Sequence, residues 1–223
     1  FRVKVVGRSA HAGRAHTGVN AIGKLNRIYD ALVALDQQRA ATVHYELFDQ
    51  TFGRSCHLNI GTYRAGDWAS TVPGWAVMEC RISHVPGEPF EAVKAQVEAA
   101  VAEACRGDDW LTEHSPEIEW YGWRARPWVQ DPSHPLVGAL QQACGHIGRP
   151  APVSGKTAGL DTRFAAYYNM AAVSFGPDGG GIHGADEYVS ISSLVQTCKV
   201  LALTVAHYGG VAPSVGTILA YPQ

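Results

Sequence analysis

The chain has 223 residues, enough for one large or two small domains around a sizeable core. With 46% hydrophobic and 17% charged residues, its composition is that of an ordinary globular protein. A formal net charge of -2 argues against nucleic acid or an acidic membrane as a general partner, because both require a basic face. No apolar run reaches the length of a membrane span.

Alternating Val3 and Val5 predict a first strand over Arg2–Val6. A glycine-bounded loop, Gly7 to Gly13, carries His11 and leads to Asn20, a candidate helix cap. Residues 20–38 follow as a helix, with Ile22, Leu25, Ile28, Tyr29, Leu32 and Leu35 at helical spacing. Strands are expected at 57–64 and 74–83, separated by Ala65-Gly66-Asp67 and the Val72-Pro73 step. In the second, Ala76, Met78, Cys80 and Ile82 alternate with Val77, Glu79 and Arg81, so Arg81 should face away from the helices. Pro89 opens another helix that runs to about Cys105 on a stripe of Phe90, Val93, Val97, Val101 and Ala104. A strand at 117–123 completes the order βαββαβ, that of a ferredoxin-like two-layer sandwich.

The character changes around 125–127. A helix is expected at 133–147, stopped by Gly148 and Pro150, and a short one after Asp161. Residues 170–175 (MAAVSF) read as a buried parallel strand running into the loop that carries His183. A last helix at 192–208 should turn Leu194, Val195, Cys198, Leu201, Ala202 and Val205 inward. The expected division is a sandwich at 1–124, the closing part of an α/β domain at 125–211, and a tail at 212–223 with no interpretable signal. So few elements cannot cover both faces of a parallel sheet, so the earlier strands of that domain are expected outside this chain.

The five cysteines, Cys56, Cys80, Cys105, Cys144 and Cys198, form no CxxC and no regular spacing. They read as reduced core thiols of a cytoplasmic protein. Cys56 and His57 are neighbours on a strand and point to opposite faces, so the pair reads as structural. The chain opens at Phe1 almost inside a strand, which we take for truncation or processing.

His183 lies in Gly179-Gly180-Gly181-Ile182-His183-Gly184, beyond the carboxyl end of an expected strand, where open α/β sheets place ligands. It is the candidate metal ligand, with Asp186 and Glu187 close enough to orient the ring. A surface histidine in a loop is the plainer alternative, since catalytic zinc usually takes three protein ligands. His11 is either a loop-fixing hydrogen bonder or a presented catalytic group. Arg81 and Arg163 sit in mainly apolar settings and would bind a carboxylate, of the protein or of a ligand; Asp161 is an internal candidate for Arg163. No GxSxG, P-loop, HExxH or paired-carboxylate motif occurs.

Gly7–Ala21, Ala69-Ser70-Thr71-Val72-Pro73 with Arg81, Leu160–Phe164 and Phe175–Val189 together resemble, in order, segments of the zinc-dependent amidohydrolases. This is the family of acetylornithine deacetylase, succinyl-diaminopimelate desuccinylase, aminoacylase and carboxypeptidase G. The resemblance implies a lid or dimerisation domain followed by the C-terminal portion of an α/β zinc-peptidase catalytic domain. It also implies hydrolysis of the amide of N-acyl amino acids or short peptides, two zinc ions per protomer (cobalt or manganese as alternatives), and a homodimer formed through the lid. Carried over, His183 would bind one metal, His11 would reach across the dimer to the oxyanion, and Ser70, Arg81 and Arg163 would contact substrate. The family's other ligands and catalytic glutamate would lie in an N-terminal segment absent here, so this chain alone is expected to be inactive. The reading of a different class is a non-catalytic dimerisation or binding module.

Overall fold

In the computed structural model, which describes residues 1–210, the alternating valines of β1 (Arg2–Val6) put Val3 and Val5 wholly inside while Lys4 and Val6 face outward. The tail expected at 212–223 lies outside the described residues. Two compact units form: Phe1–Pro127 with Ser154–Ala158, and Trp128–Val153 with the chain from Gly159 onward.

In the first unit, α1 (Ala21–Thr42) starts under the Asn20 cap, whose side-chain oxygen accepts from the Ile22 N–H at 2.9 Å. Its Leu25, Ile28 and Leu32 are fully buried. A short α2 (Glu46–Phe52) precedes β2 (Leu58–Ala65) and β3 (Trp75–Ile82). Then come α3 (Phe90–Cys105), a short α4 (Asp109–Glu113) and β4 (Glu117–Glu119). The sheet order is β2-β3-β1-β4 with every neighbour antiparallel, in register at Val3↔Met78 and Val5↔Ala76. This is the ferredoxin-like sandwich expected from the element order, with the strand order now supplied by the pairing.

Val97 and Val101 of α3 meet the α1 stripe over Val3, Val5, Ala76 and Met78 in one core, and Val93 of the same helix is also buried. Each such fully buried aliphatic side chain stabilises by roughly 1.5–3 kcal/mol. Val77, Glu79 and Arg81 take the other face, where Arg2 pairs with Glu79 at 2.8 Å and Glu119 at 2.9 Å. β4 is shorter than expected: after Glu119, Trp120 leaves the ladder to pack on Phe1 and Phe90, and Gly122 turns the chain at φ 80°.

In the second unit, α5 (Pro135–His146) and α6 (Ile191–Gly209) pack through Ala143, Cys144 and Val200, with Leu140, Ile147, Phe175 and Leu203 around them. A 3-10 helix covers Asp161–Tyr168, and β5 (Gly179–Gly180) pairs with β6 (Tyr188–Val189).

Three expectations are corrected here. Residues 170–175 form no strand, because a strand exists only where a neighbour completes its ladder. The Ala172 N–H donates instead to Gln130 Oε1 at 3.0 Å, and its carbonyl accepts from Trp128 Nε1 at 3.3 Å. The apolar stripe of α6 faces outward, and its buried positions are Ser193, Thr197, Val200 and Thr204. Cys198 shares that exposed face, whereas Cys56, Cys80 and Cys144 are buried thiols as expected. No helix among the described residues is long and apolar enough to cross a membrane.

Candidate functional site

The loop after β1 is laid down onto the start of β3 by close backbone approach. The Gly7 N–H donates to the Gly74 carbonyl at 2.9 Å, and Arg8 exchanges bonds with Val19. A Cβ on Gly7 would stand 2.3 Å from the Val19 carbonyl oxygen, so only glycine permits this crossing. The same loop then bridges to the segment before β3. Val72 N–H donates to the Ala10 carbonyl at 2.8 Å, Ala12 N–H to the Ser70 carbonyl at 2.9 Å, and His11 forms an antiparallel bridge with Thr71.

His11 and Ser70 are therefore brought to one end of the sheet. His11 is exposed and caps the 3-10 helix Ala12–Thr17, its Nδ1 accepting from the Gly13 N–H at 3.0 Å. A neutral imidazole that accepts at Nδ1 carries its proton on Nε2, so this exposed ring keeps an N–H donor. The pairing of His11 with Thr71 and with the Gly13 N–H is not legible in the sequence, where both residues stand only as parts of their loops. The glycines at 7, 13 and 74 around the histidine were the available signal.

Arg81 lies elsewhere, at the far end of β3 opposite Asn59, exposed, with Nη2 donating to the Thr157 carbonyl at 3.3 Å. It follows Trp75 by six residues, a separation of about 20 Å at the ordinary strand rise. A shallow cleft at the start of α1, beside the residue that caps α4, is lined by Gly18, Val19, Asn20, Gly23, Lys24 and Asp108. Lys24 is already held there by both Asp108 oxygens at 2.8 and 2.7 Å.

Arg163 and His183 belong to the second unit. The Arg163 side chain is 10% exposed, donates to the Leu160 carbonyl at 3.0 Å, pairs with Asp161 at 3.5 Å and lies over the Phe164 ring. The internal pairing weighed from sequence is thus formed. His183 is exposed in the loop between β5 and β6, where Gly184 N–H donates to the Gly181 carbonyl at 2.7 Å. Its φ of 63° and the 61° of Asp186 place both in the left-handed region, which costs a side-chain-bearing residue energy and recurs where a loop must present a group. Neither Asp186 nor Glu187 is bonded to the His183 ring in this structure. No group of three or more His, Cys, Asp or Glu that could hold a metal is gathered among the described residues. A single exposed imidazole can serve as one ligand of a metal ion but does not by itself make a site.

Cys56 is buried, and that burial pushes its thiol above the usual range, which disfavours the thiolate. Burial likewise lowers the pKa of His57.

Residues 1–109 match the peptidase dimerisation domain. The chain is 25% identical over 201 residues to an N-formyl-4-amino-5-aminomethyl-2-methylpyrimidine deformylase of Bacillus subtilis, covering 86% of this chain and 46% of that protein. It is 22% identical over 218 residues to an acetylornithine deacetylase of Vibrio campbellii, covering 92% of this chain and 51% of that one. A tripeptidase structure from Staphylococcus aureus superposes with a TM-score of 0.66 at 19% identity, over 92% of this chain and 49% of its own. The chain thus spans about half the length of the curated relatives it matches. The family match thus covers the sandwich of the first unit, residues 1–109, and the likeness to the deformylase and the deacetylase runs on through the second unit.

Proposed function

We propose that this chain is the lid and C-terminal portion of a zinc-dependent amidohydrolase that cleaves the amide of N-acyl amino acids or short peptides in the cytoplasm, as a homodimer joined through the lid. The observation that carries the reading is His11: an exposed imidazole held on a glycine-built loop, its Nδ1 taken up by the Gly13 N–H so that the neutral ring's proton sits on Nε2. The relatives' names support the bond class, since a deformylase, a deacetylase and a tripeptidase each break an acyl–nitrogen bond.

His183 would supply one metal ligand, and the rest, with the catalytic glutamate, would come from the half of the polypeptide outside this chain. When bound, the metal would polarise the scissile carbonyl and activate water. His11 would donate from Nε2 to the oxygen on which charge develops. Arg81, Arg163 and Ser70 would orient the substrate's carboxylate or acyl end, Arg163 after giving up its contact with Asp161. His11 and Arg81 stand at opposite ends of one strand, too far apart for one small substrate to touch both. A two-fold dimer relieves this, because it can set one protomer's His11 end beside its partner's substrate site. The eight-residue edge strand β2 offers an unpaired backbone for such an association.

The test is metal content. The polypeptide extended by its upstream coding sequence should hold about two zinc ions per protomer, and His183→Ala should lose one of them with nearly all amidase activity. Full metal content and turnover in that variant would refute the assignment.

A further inference from the structure

Trp68 is the most exposed large apolar side chain of the first unit, at 68%, although the loop that carries it between β2 and β3 is held on both sides. The Gly66 N–H donates to the Trp75 carbonyl at 3.1 Å, and Gly66 turns the chain at φ 63°. Both Asp67 carboxylate oxygens accept from the Trp75 indole N–H, at 3.0 and 3.1 Å. The Thr71 N–H donates to the Trp68 carbonyl at 3.1 Å and closes a turn through Ala69 and Ser70. Beyond the turn, Ser70 and Val72 bond to the His11 loop as described above. The Trp68 indole itself has no hydrogen bond, ring contact or cation partner among the described residues.

An aromatic ring gains much by leaving water, and one on a fixed backbone has only two side-chain torsions to order when it binds. Its neighbours set the size of what it can meet. Asp67 and Ala69 on either side are exposed, one charged and one small, so the apolar surface amounts to a single ring. A protein partner needs a broader patch than that, whereas a planar ring of a small ligand needs no more. The turn sets the Trp68 Cα within about 7 Å of the Thr71 Cα, and Thr71 pairs with His11. The indole and the imidazole are therefore carried on one frame, their spacing fixed by the backbone bonds that join the two loops.

We infer that Trp68 selects the substrate by stacking on an aromatic ring attached to the acyl or the amine side of the amide whose carbonyl oxygen His11 meets. This narrows the N-acyl amino acids and short peptides of the proposed function to those that carry such a ring, and it rests on that reading. In the two-fold dimer, Trp68 travels with His11 to the partner's substrate site.

The test compares three substrates on the zinc-loaded extended polypeptide: N-acetylglycine, which has no ring, N-benzoylglycine, with a ring on the acyl side, and N-acetylphenylalanine, with one on the amine side. Trp68→Ala should lower kcat/KM for at least one ring-bearing substrate roughly tenfold or more beyond its effect on N-acetylglycine, the size expected when an apolar contact is lost. Trp68→Phe should recover much of that difference. The substrate that suffers tells which side of the amide carries the ring. Melting temperature and zinc content should stay as in the parent, because the indole holds no other part of the fold. An equal loss on all three substrates, no loss, or turnover confined to N-acetylglycine would overturn the inference while leaving the proposed function intact. An equal loss with a lowered melting temperature would make Trp68 a packing contact with the rest of the polypeptide and also overturn it. Absence of turnover on N-acyl amino acids and dipeptides alike, in a protein that holds its zinc, would refute the proposed function and the inference with it.

Discussion

Replacing Arg39 tests how the helical layer of the first unit is tied together. Its guanidinium is 2% exposed and reaches from α1 to Glu88 through two bonds of 2.8 Å, to Gln96 of α3 at 2.5 Å and to the Ser83 carbonyl at 3.2 Å. Arg39→Met keeps most of the stem and removes all of these donors. The Glu88 carboxylate then retains the Val85 N–H, at 3.3 Å, in a setting where its side chain is 14% exposed. Stranding one member of a buried pair costs about 3–5 kcal/mol, and the water that reaches Glu88 favours the lower end. A loss of about 3 kcal/mol is roughly a hundredfold in an opening equilibrium. Native-state hydrogen exchange, read on α1 amides in the whole chain, measures it in this unit alone. Arg39→Met combined with Glu88→Leu should recover much of the loss, because no charge is left without its partner. The reasoning fails if the single variant stays within about 1 kcal/mol of the parent, or if the double variant is no better than the single. The pH dependence has a definite sign. Burial alone would raise the Glu88 carboxyl, but the bonds and charge of Arg39 outweigh it and hold the pKa below the usual value. The pair's contribution is therefore present at neutral pH and lost as pH falls through that lowered pKa, below roughly 4.3.

Further outcomes follow from the same geometry. On the proposed function, His11→Ala in the extended polypeptide should lower kcat on the order of 10²–10³-fold, the usual cost of one oxyanion donor, with metal content unchanged; metal loss would show that His11 is a ligand instead. In the 223-residue chain, ¹⁵N shifts of the His11 ring at alkaline pH should report the Nε2–H tautomer, and a mixed tautomer signature would contradict the Gly13 bond. His44 is held above the usual histidine pKa mainly by its bond to Asp49, and Asp49 is held low by Ser55 and His44. The His44 contribution to α2 is full at acid pH and lost as pH rises through its raised pKa. The Asp49 contribution is present above the ordinary carboxylate range and lost as pH falls through its lowered pKa. Amide protection in α2 should therefore peak between the two, and protection independent of pH in Asp49→Asn and parent alike would refute the coupling.

The sequence by itself determined the elements of the first unit, because each carries its own period: two in Val3/Val5 and Ala76/Met78/Cys80, three to four in Leu25/Ile28/Leu32 and Val93/Val97/Val101. Those faces each found their partner within the chain, so local pattern and final packing agree. It also singled out His11 and His183 through their glycine settings. Tertiary structure alone decided the strand order, the bridge that joins His11 to Thr71 beside Ser70, and the separation of both from Arg81. These are pairings between residues far apart in the chain, and no local pattern encodes them. It decided, too, that residues 170–175 form no strand and that the apolar face of α6 looks outward. In both cases the periodicity announces a surface to be covered, but only a partner can turn an apolar run into a strand or an apolar stripe into a core.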